Sequence, residues 1–298
     1  MASPEPRRPG ARLPAAARAR LGALDPVDLA LRLTLLDLLL RPIGSDGVRP
    51  AVLLLAGGGL ALPPLLRRPE LWLALGALAF FRIASAWPLG DNHAYLLAYW
   101  CLGVGLALVA REPGALAPIA RRLIGLAFAF AVLWKVISPD YLDGRFFRVV
   151  LIVDQRFEQF TRIAGGVDDA DLAQRRAYLA QHVDSAHPAR GAPPPERERL
   201  RRVAQTATFA TLAVELAVAA AFLWPLGRRL SRWRDPLLLG FCLATYAIAP
   251  VEGFGWLLLA MGLAQADSLR STYIAAYAVL LLYRELPWGA WILRALGG

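Results

Sequence analysis

Long apolar runs separated by short polar segments make up most of the chain from residue 25 onward. Most of these runs approach the roughly 20 residues that a helix needs to cross a ~30 Å hydrocarbon core, so each is predicted to be a helix. Asp25 and Pro26 open the first one, as an N-cap and a first helical residue would. The predicted spans are residues 27–40, 50–66, 70–88, 92–110, 118–138, 203–226, 236–264 and 271–284.

This pattern predicts an all-α fold, a polytopic transmembrane helical bundle of about eight spans. The number is seven if residues 27–40, which Arg32 and Asp37 interrupt, lie along the membrane interface. Residues 1–24 are rich in Pro, Ala, Gly and Arg and are predicted to be a disordered basic tail without the apolar core of a signal peptide. Residues 25–298 then form the transmembrane domain.

One long polar segment, residues 146–202, is predicted to lie outside the membrane. Residues 146–153 are apolar but too few to cross it, so they are expected to dip into the interface or lie along it. Residues 169–181 favour a helix, and prolines follow at 188 and 193–195. The segment is therefore predicted to be an exposed loop with one surface helix.

Composition and charge agree with a lipid environment. The 298 residues are 57% apolar and 19% charged, with a mean hydropathy of +0.45, which excludes an ordinary soluble globular protein. The net charge of +10 comes from arginines clustered between apolar runs, unlike a basic groove for nucleic acid. Arginines in the short loops predict both termini in the cytoplasm, and hence a multi-pass protein of the cell (inner) membrane.

Familiar soluble-enzyme and metal motifs are missing from the sequence. The two cysteines lie in separate apolar runs, and the three histidines lack metal-ligand spacing, so neither a disulfide scaffold nor a metal site is predicted. Nucleotide-binding glycine motifs, HExxH and GxSxG are also absent.

Polar residues at the ends of neighbouring spans form the first candidate site. Lys135 is the only lysine beside 32 arginines and, unlike an arginine, it can give up its proton. It ends one predicted span, while the preceding span begins on the same side of the membrane. Simple capping or snorkelling is the structural alternative for these residues. The side chains that can converge there are Arg82, Asp91, Asn92, His93, Lys135 and Asp140.

Two carboxylates lie near the middle of predicted spans, Glu215 and Glu252. A charge at the bilayer centre costs roughly 2.5 to 3.5 kcal/mol or more, so each is expected to be protonated, paired or next to a wet cavity. Both are predicted to face the bundle interior. A buried pair with Arg82 or Arg32 is the structural alternative to a function.

Two short motifs resemble the membrane domain of vitamin K-dependent gamma-carboxylases and their bacterial HTTM relatives. The first is Asn92-His93-Ala94-Tyr95-Leu96, and the second runs from Lys135 through Asp140 and Tyr141 to Gly144. In that family an Asn-His-x-Tyr-Leu segment and a Lys-x-x-x-Asp-Trp-x-x-Gly segment face one cavity. Here Lys135 is one residue further from the aspartate, and Tyr141 stands where the family has tryptophan.

The resemblance implies a membrane enzyme of the carboxylase or epoxidase type. Lys135 would be the base that takes a proton from a reduced quinone, His93 would orient a substrate beside it, and Asn92 would be its neighbour. Independently of the resemblance, the polar residues in and beside the spans are candidates for substrate contact: Asn92, Arg82, Asp140, Tyr141, Glu215 and Glu252. A lysine is a base only in its neutral form, which burial in an apolar cavity favours.

Two other classes of function remain open from the residues themselves. A transporter or lipid-binding protein would use Glu215 and Glu252, with glycine and proline breaks as hinges. A non-catalytic membrane subunit would hold a partner through its arginine-rich loops. A cavity closed on one side favours the enzyme, and a polar path to both faces favours transport. The bilayer, and a quinone or lipid-like molecule, are the expected partners, with no nucleic acid.

Overall fold

The computed structural model describes residues 25–45, 47–87, 92–183, 194–224, 228–249, 253–266 and 271–285, and every regular element in these ranges is a helix. This confirms the predicted all-α fold; the tail at residues 1–24 lies outside the described part. Two segments, Pro113–Ile137 and Glu198–Leu223, are long and apolar enough to cross a membrane, each with a mean hydropathy of 1.8. Only 28% and 33% of them are buried within the protein, whereas a core helix of a soluble protein is mostly buried.

Fourteen helices of the α type follow one another in the described ranges. The first seven are α1 (Pro26–Leu40), α2 (Val48–Ala61), α3 (Pro69–Ser85), α4 (Asn92–Val109), α5 (Leu116–Ile137), α6 (Pro139–Leu142) and α7 (Arg145–Val153). The others are α8 (Glu158–Gly165), α9 (Asp169–Val183), α10 (Glu198–Leu223), α11 (Arg228–Ser231), α12 (Arg234–Ile248), α13 (Phe254–Gln265) and α14 (Ser271–Glu285).

The start of α1 follows the prediction from Asp25 and Pro26. The Asp25 side chain accepts a hydrogen bond from the backbone N–H of Val27 at 2.9 Å, and Pro26 occupies the first helical position. This cap satisfies an N–H group that a helix start otherwise leaves without an intrahelical partner.

Close contacts at glycines align neighbouring helices antiparallel. A Cβ atom on Gly76 of α3 would lie 3.3 Å from the Leu102 backbone of α4, and one on Gly105 of α4 would lie 2.7 Å from the Leu73 side chain of α3. Residues 73 and 76 thus face residues 105 and 102, in reversed order. The absence of a side chain lets the two backbones approach, as small residues do in membrane helix pairs.

Helix α13 is the centre of the bundle. Ten of its twelve residues are buried, from Gly255 to Ala264, and it packs against α1 and α5 as well as its chain neighbours. The indole N–H of Trp256 donates to the Leu33 carbonyl of α1 at 2.7 Å. An apolar helix with no polar face is buried on all sides, which explains the position of this one.

The predicted single span at 236–264 is wrong, because α12 and α13 form an antiparallel hairpin. A Cβ atom on Gly255 would overlap the Tyr246 ring, and one on Gly262 would touch Leu238 at 2.9 Å. At the open end of the hairpin, Gln265 donates to Asp235 at 2.6 Å. In the sequence, α12 is followed by Pro250, and a residue without an N–H cannot continue the helical hydrogen bonds.

Segment 146–202 contains more structure than one surface helix. Helices α7 and α8 pack against the first turns of α10, α9 packs against α7, and together they enclose a second apolar core. A buried arginine stabilises it: the guanidinium of Arg175 donates to Asp171 at 2.8 Å and to the Pro195 carbonyl at 2.7 Å. This core contains Tyr141, Phe147, Leu151, Ile152, Val167, Leu172, Leu200 and Ala204.

Candidate functional site at the Lys135 and Glu215 pair

Helices α5 and α10 pack side by side in opposite directions, and this register creates the site. A Cβ atom on Gly125 of α5 would lie 2.6 Å from Leu223 at the end of α10, while one on Gly144, between α6 and α7, would lie 3.4 Å from the Gln205 side chain. We call these two levels the Leu223 end and the Gln205 end of the bundle. Between them, the alignment brings Lys135 opposite Glu215.

Lys135 and Glu215 form an ion pair between the two helices. The Lys135 ammonium donates to both carboxylate oxygens of Glu215. The Glu215 side chain is 8% exposed and that of Lys135 is 20% exposed. The predicted interior position of Glu215 is thus confirmed, but its partner is Lys135 and not Arg82 or Arg32.

Tyr141 covers this pair from the short helix α6. Its ring centroid is 5.5 Å from Lys135 Nζ, a cation–π contact, and the residue is 3% exposed. Its hydroxyl is buried and makes no hydrogen bond of acceptable distance and angle to another described residue, although Thr211 lies near it. Such a buried hydroxyl without a partner is costly to leave unsatisfied.

The surroundings of Tyr141 also keep its hydroxyl protonated. Burial raises the pKa of the Tyr141 phenol, the negative charge of Glu215 raises it further, and an interaction with Thr211 lowers it in part. The phenol therefore remains a hydrogen-bond donor at neutral pH. Lys135, Glu215, Tyr141 and Thr211 together offer a cation, a carboxylate and hydroxyls within one small space.

A buried apolar layer closes this group toward the Leu223 end. Phe128 lies seven residues before Lys135, and Phe222 lies seven residues after Glu215, so each is about 10 Å further along its helix on the same face. Phe128 stacks edge to face on Phe241 of α12, with ring centroids 4.7 Å apart. These rings belong to one buried apolar core together with Val218.

Asp140 and Arg82 do not join the group, contrary to the predicted convergence. The Asp140 side chain is 66% exposed and pairs with Arg145 at 2.8 Å. Arg82 is exposed in the last turn of α3. Asp140 faces away because it precedes Tyr141, whose ring takes the inward position in the four-residue helix α6.

The histidine motif lies at the start of α4. Asn92 is the first residue of that helix, and only its backbone lies within the described part of the chain. His93 is partly buried, and the contacts of Lys135 are with Glu215 and Tyr141 and not with His93. Asp91 and Glu252 lie outside the described residues. The predicted cavity shared by Lys135 and His93 thus has no contact to support it here.

Sequence reasoning missed one member of the group and one pairing. Thr211 lies four residues before Glu215, so both occupy the same face of α10. That spacing was readable from the sequence once Glu215 was singled out. The pairing of Lys135 with Glu215 was not, because it depends on the register of helices that are 80 residues apart in the chain.

The described residues contain no cluster of three or more His, Cys, Asp or Glu side chains that could hold a metal ion. Cys101 and Cys242 are both buried and are not joined in a disulfide. No protein-family model, no curated protein and no solved structure matches the chain. The resemblance to gamma-carboxylases therefore stays a prediction.

Proposed function

We propose that the protein is a multi-pass membrane protein of the inner membrane. Helices α1 to α5, α10 and α14 would be the spans, and the α12–α13 hairpin would enter the bilayer from one side and return. Large apolar side chains on the outside of these helices support this, since a soluble protein seldom exposes so many. The most exposed include Leu54, Phe81, Phe130, Leu216 and Leu282.

The Leu223 end of the bundle is the cytoplasmic end in this proposal. The helix ends and short connections there carry clustered arginines, which favour the cytoplasm. They are Arg67, Arg68, Arg111, Arg121, Arg122, Arg232 and Arg234. The α12–α13 hairpin leaves α14 to start at this end, because Tyr277 of α14 donates to Asp235 at 3.0 Å. The end of α14 then lies on the side opposite the start of α1, a revision of the expectation that both termini are cytoplasmic.

Within the membrane we propose an enzyme that removes a proton from a lipid-soluble substrate, with Lys135 as base. The observation that carries this is the Lys135–Glu215 pair under the unpartnered Tyr141 hydroxyl. By the resemblance to gamma-carboxylases the substrate is a reduced quinone, which would supply an acidic phenolic hydrogen and reducing equivalents. The Tyr141 hydroxyl fits such a molecule because it can donate to a substrate oxygen.

Lys135 is protonated in the ion pair, and Glu215 can accept that proton so that the amine becomes available as a base. When the ammonium of Lys135 passes a proton to the carboxylate of Glu215, an ion pair becomes a neutral amine and a neutral acid. The net charge of the site does not change, so the low-dielectric surroundings oppose this transfer little. The amine can then take a proton from a substrate hydroxyl, and the resulting ammonium faces the substrate anion.

The closed side of the site favours an enzyme over a transporter. Transport through Glu215 would need a polar path to both faces, whereas the buried rings of Phe128, Phe222 and Phe241 lie on the side toward the Leu223 end. Glu252, the second carboxylate of the transporter hypothesis, lies outside the described residues.

The proposal is tested with purified protein in liposomes that contain a reduced naphthoquinone, by following oxygen uptake. We expect uptake above that of empty liposomes. Lys135→Arg should abolish it, since a guanidinium keeps the ion pair but does not release a proton, and Glu215→Gln should abolish it as well. Trp134→Phe is the matched control, because this neighbour of Lys135 is 72% exposed and should leave activity unchanged.

Two outcomes would overturn the enzyme proposal. One is full activity of Lys135→Arg, which would remove Lys135 from the proton step. The other is proton flux into the liposomes, detected with a pH-sensitive dye, that depends on Glu215 while oxygen uptake stays at background. That second result would favour transport.

A further inference from the structure

Helix α7 is apolar on two opposite faces. Phe147, Leu151 and Ile152 point inward to the second core, against α8 and α10. Phe146, Val149 and Val153 point outward and are 46%, 41% and 52% exposed. Their spacing of three and four residues makes one continuous stripe on the helix. A helix on the aqueous surface of a protein would carry polar side chains at these positions.

The position of α7 along the bundle matches the edge of a hydrocarbon core. The helix begins directly after Gly144, which lies against Gln205 of α10. From Gln205 to Trp224, just beyond the other end of α10, there are 19 residues, or about 28 Å of helix, close to the ~30 Å of a bilayer core. The exposed side chains of Phe209 and Leu216 on α10 lie between these levels.

The charged residues of α7 are already paired within the protein. Arg145 bonds Asp140 at 2.8 Å and Asp143 at 3.1 Å, and Arg148 bonds Glu196 at 3.3 Å. Their positive charge is therefore balanced by neighbouring carboxylates. What α7 presents to its surroundings is apolar surface without an excess of charge, which complements acyl chains better than anionic headgroups.

We propose that α7 lies in the lipid leaflet at the Gln205 end, with Phe146, Val149 and Val153 against acyl chains. This rests on the proposed bilayer location but not on the proposed reaction. The Phe146 ring also packs on Tyr141, with centroids 5.3 Å apart, and Tyr141 covers Lys135. The contact between Phe146 and Tyr141 therefore joins the lipid-facing stripe to the candidate site.

Site-directed spin labelling tests this, and the chain is suited to it. Its two native cysteines, Cys101 and Cys242, are buried, so a single introduced cysteine is labelled selectively in the folded protein. Phe146→Cys, Val149→Cys and Val153→Cys are labelled one at a time in phosphatidylcholine liposomes. Leu216→Cys on α10 is the control for lipid, and Ala170→Cys, exposed on α9, is the control for water.

The expected result is that all three α7 labels collide with oxygen and not with a water-soluble nickel chelate, as Leu216→Cys does and Ala170→Cys does not. Adding phosphatidylglycerol should change nothing, because the arginines are paired. Access of the chelate to the α7 labels overturns the proposal, and so does exclusion of both reagents, which would mean that protein covers the stripe. If Leu216→Cys is also open to the chelate, the membrane location itself fails.

If Phe146→Cys does not fold, the other two positions, which lie outside the contact with Tyr141, still decide the question. A requirement for phosphatidylglycerol would also contradict the proposal, since headgroup charge would then hold the helix.

Discussion

Removal of the Lys135 amine alone should destabilise the protein strongly, because it leaves a carboxylate at mid-helix without its partner. Methionine in Lys135→Met is close in length to the apolar stem of the lysine side chain and lacks the ammonium group. Glu215, 8% exposed, then lies among apolar groups with no cation to balance it. Breaking a buried ion pair on one side typically costs about 3 to 5 kcal/mol.

The free energy of unfolding that Lys135→Met can lose has an upper limit. An unpaired buried carboxylate can lose its charge by binding a proton from solution. Relative to the unfolded chain, this protonation costs about 3.7 kcal/mol at pH 7 and about 1.4 kcal/mol less for each pH unit below that. Because the partly exposed Lys135 position admits some water, we expect a loss of about 2 to 3.5 kcal/mol in the free energy of unfolding at pH 7. The folded variant binds one proton more than the unfolded chain, so its deficit shrinks as the pH falls, to about 1 kcal/mol at pH 5.

Unfolding in mixed micelles of dodecylmaltoside and dodecyl sulfate, followed by circular dichroism, measures these differences. Lys135→Met with Glu215→Leu removes both charges and should return stability to within about 1 kcal/mol of the original protein. Lys135→Arg keeps the pair and should also remain close to it. Trp134→Phe serves as the neutral control.

The reasoning would be refuted if Lys135→Met unfolded like the original protein at pH 7, because Glu215 would then have no need of a partner. An equal loss in the single and the double variant would refute it too. In that case the methionine itself, and not the unpaired carboxylate, would be at fault.

Three further predictions concern other parts of the molecule. Tyr141→Phe removes a buried hydroxyl that makes no hydrogen bond to another described residue, so the free energy of unfolding should stay equal or rise slightly. Oxygen uptake should fall. A clear loss of stability would show that the hydroxyl does form a hydrogen bond. Gly255→Ala should destabilise by about 1 to 3 kcal/mol in the same micelle assay because its Cβ would overlap Tyr246, whereas Gly240→Ala, which meets nothing within 4 Å, should cost little; equal effects would contradict the hairpin. A reporter enzyme that works only outside the cytoplasm should be active when it is fused after Gly298. Activity there of a reporter that works only in the cytoplasm would instead support a single span at 236–264.

The amino-acid sequence by itself predicts where most helices lie. Apolar runs match α1 to α5, α10 and α14 to within a few residues, because the hydrophobicity of a run and its bounding polar residues are local properties. The sequence also singles out Lys135 and Glu215, since a lone lysine and a mid-span carboxylate are conspicuous in such runs. These inferences need no knowledge of which helices are neighbours.

Only the tertiary structure decides which of these residues meet. Lys135 and Glu215 pair because a glycine at 125 lets α5 approach the end of α10 in one particular register, and nothing in either run states that register. The hairpin of α12 and α13 escaped prediction for a similar reason. Residues 236–264 have the hydrophobicity of a single span, and Pro250 marks a break without showing that α13 then packs against α1 and α5 in the centre of the bundle. Contact energy between distant segments determines both features, and local periodicity does not record it.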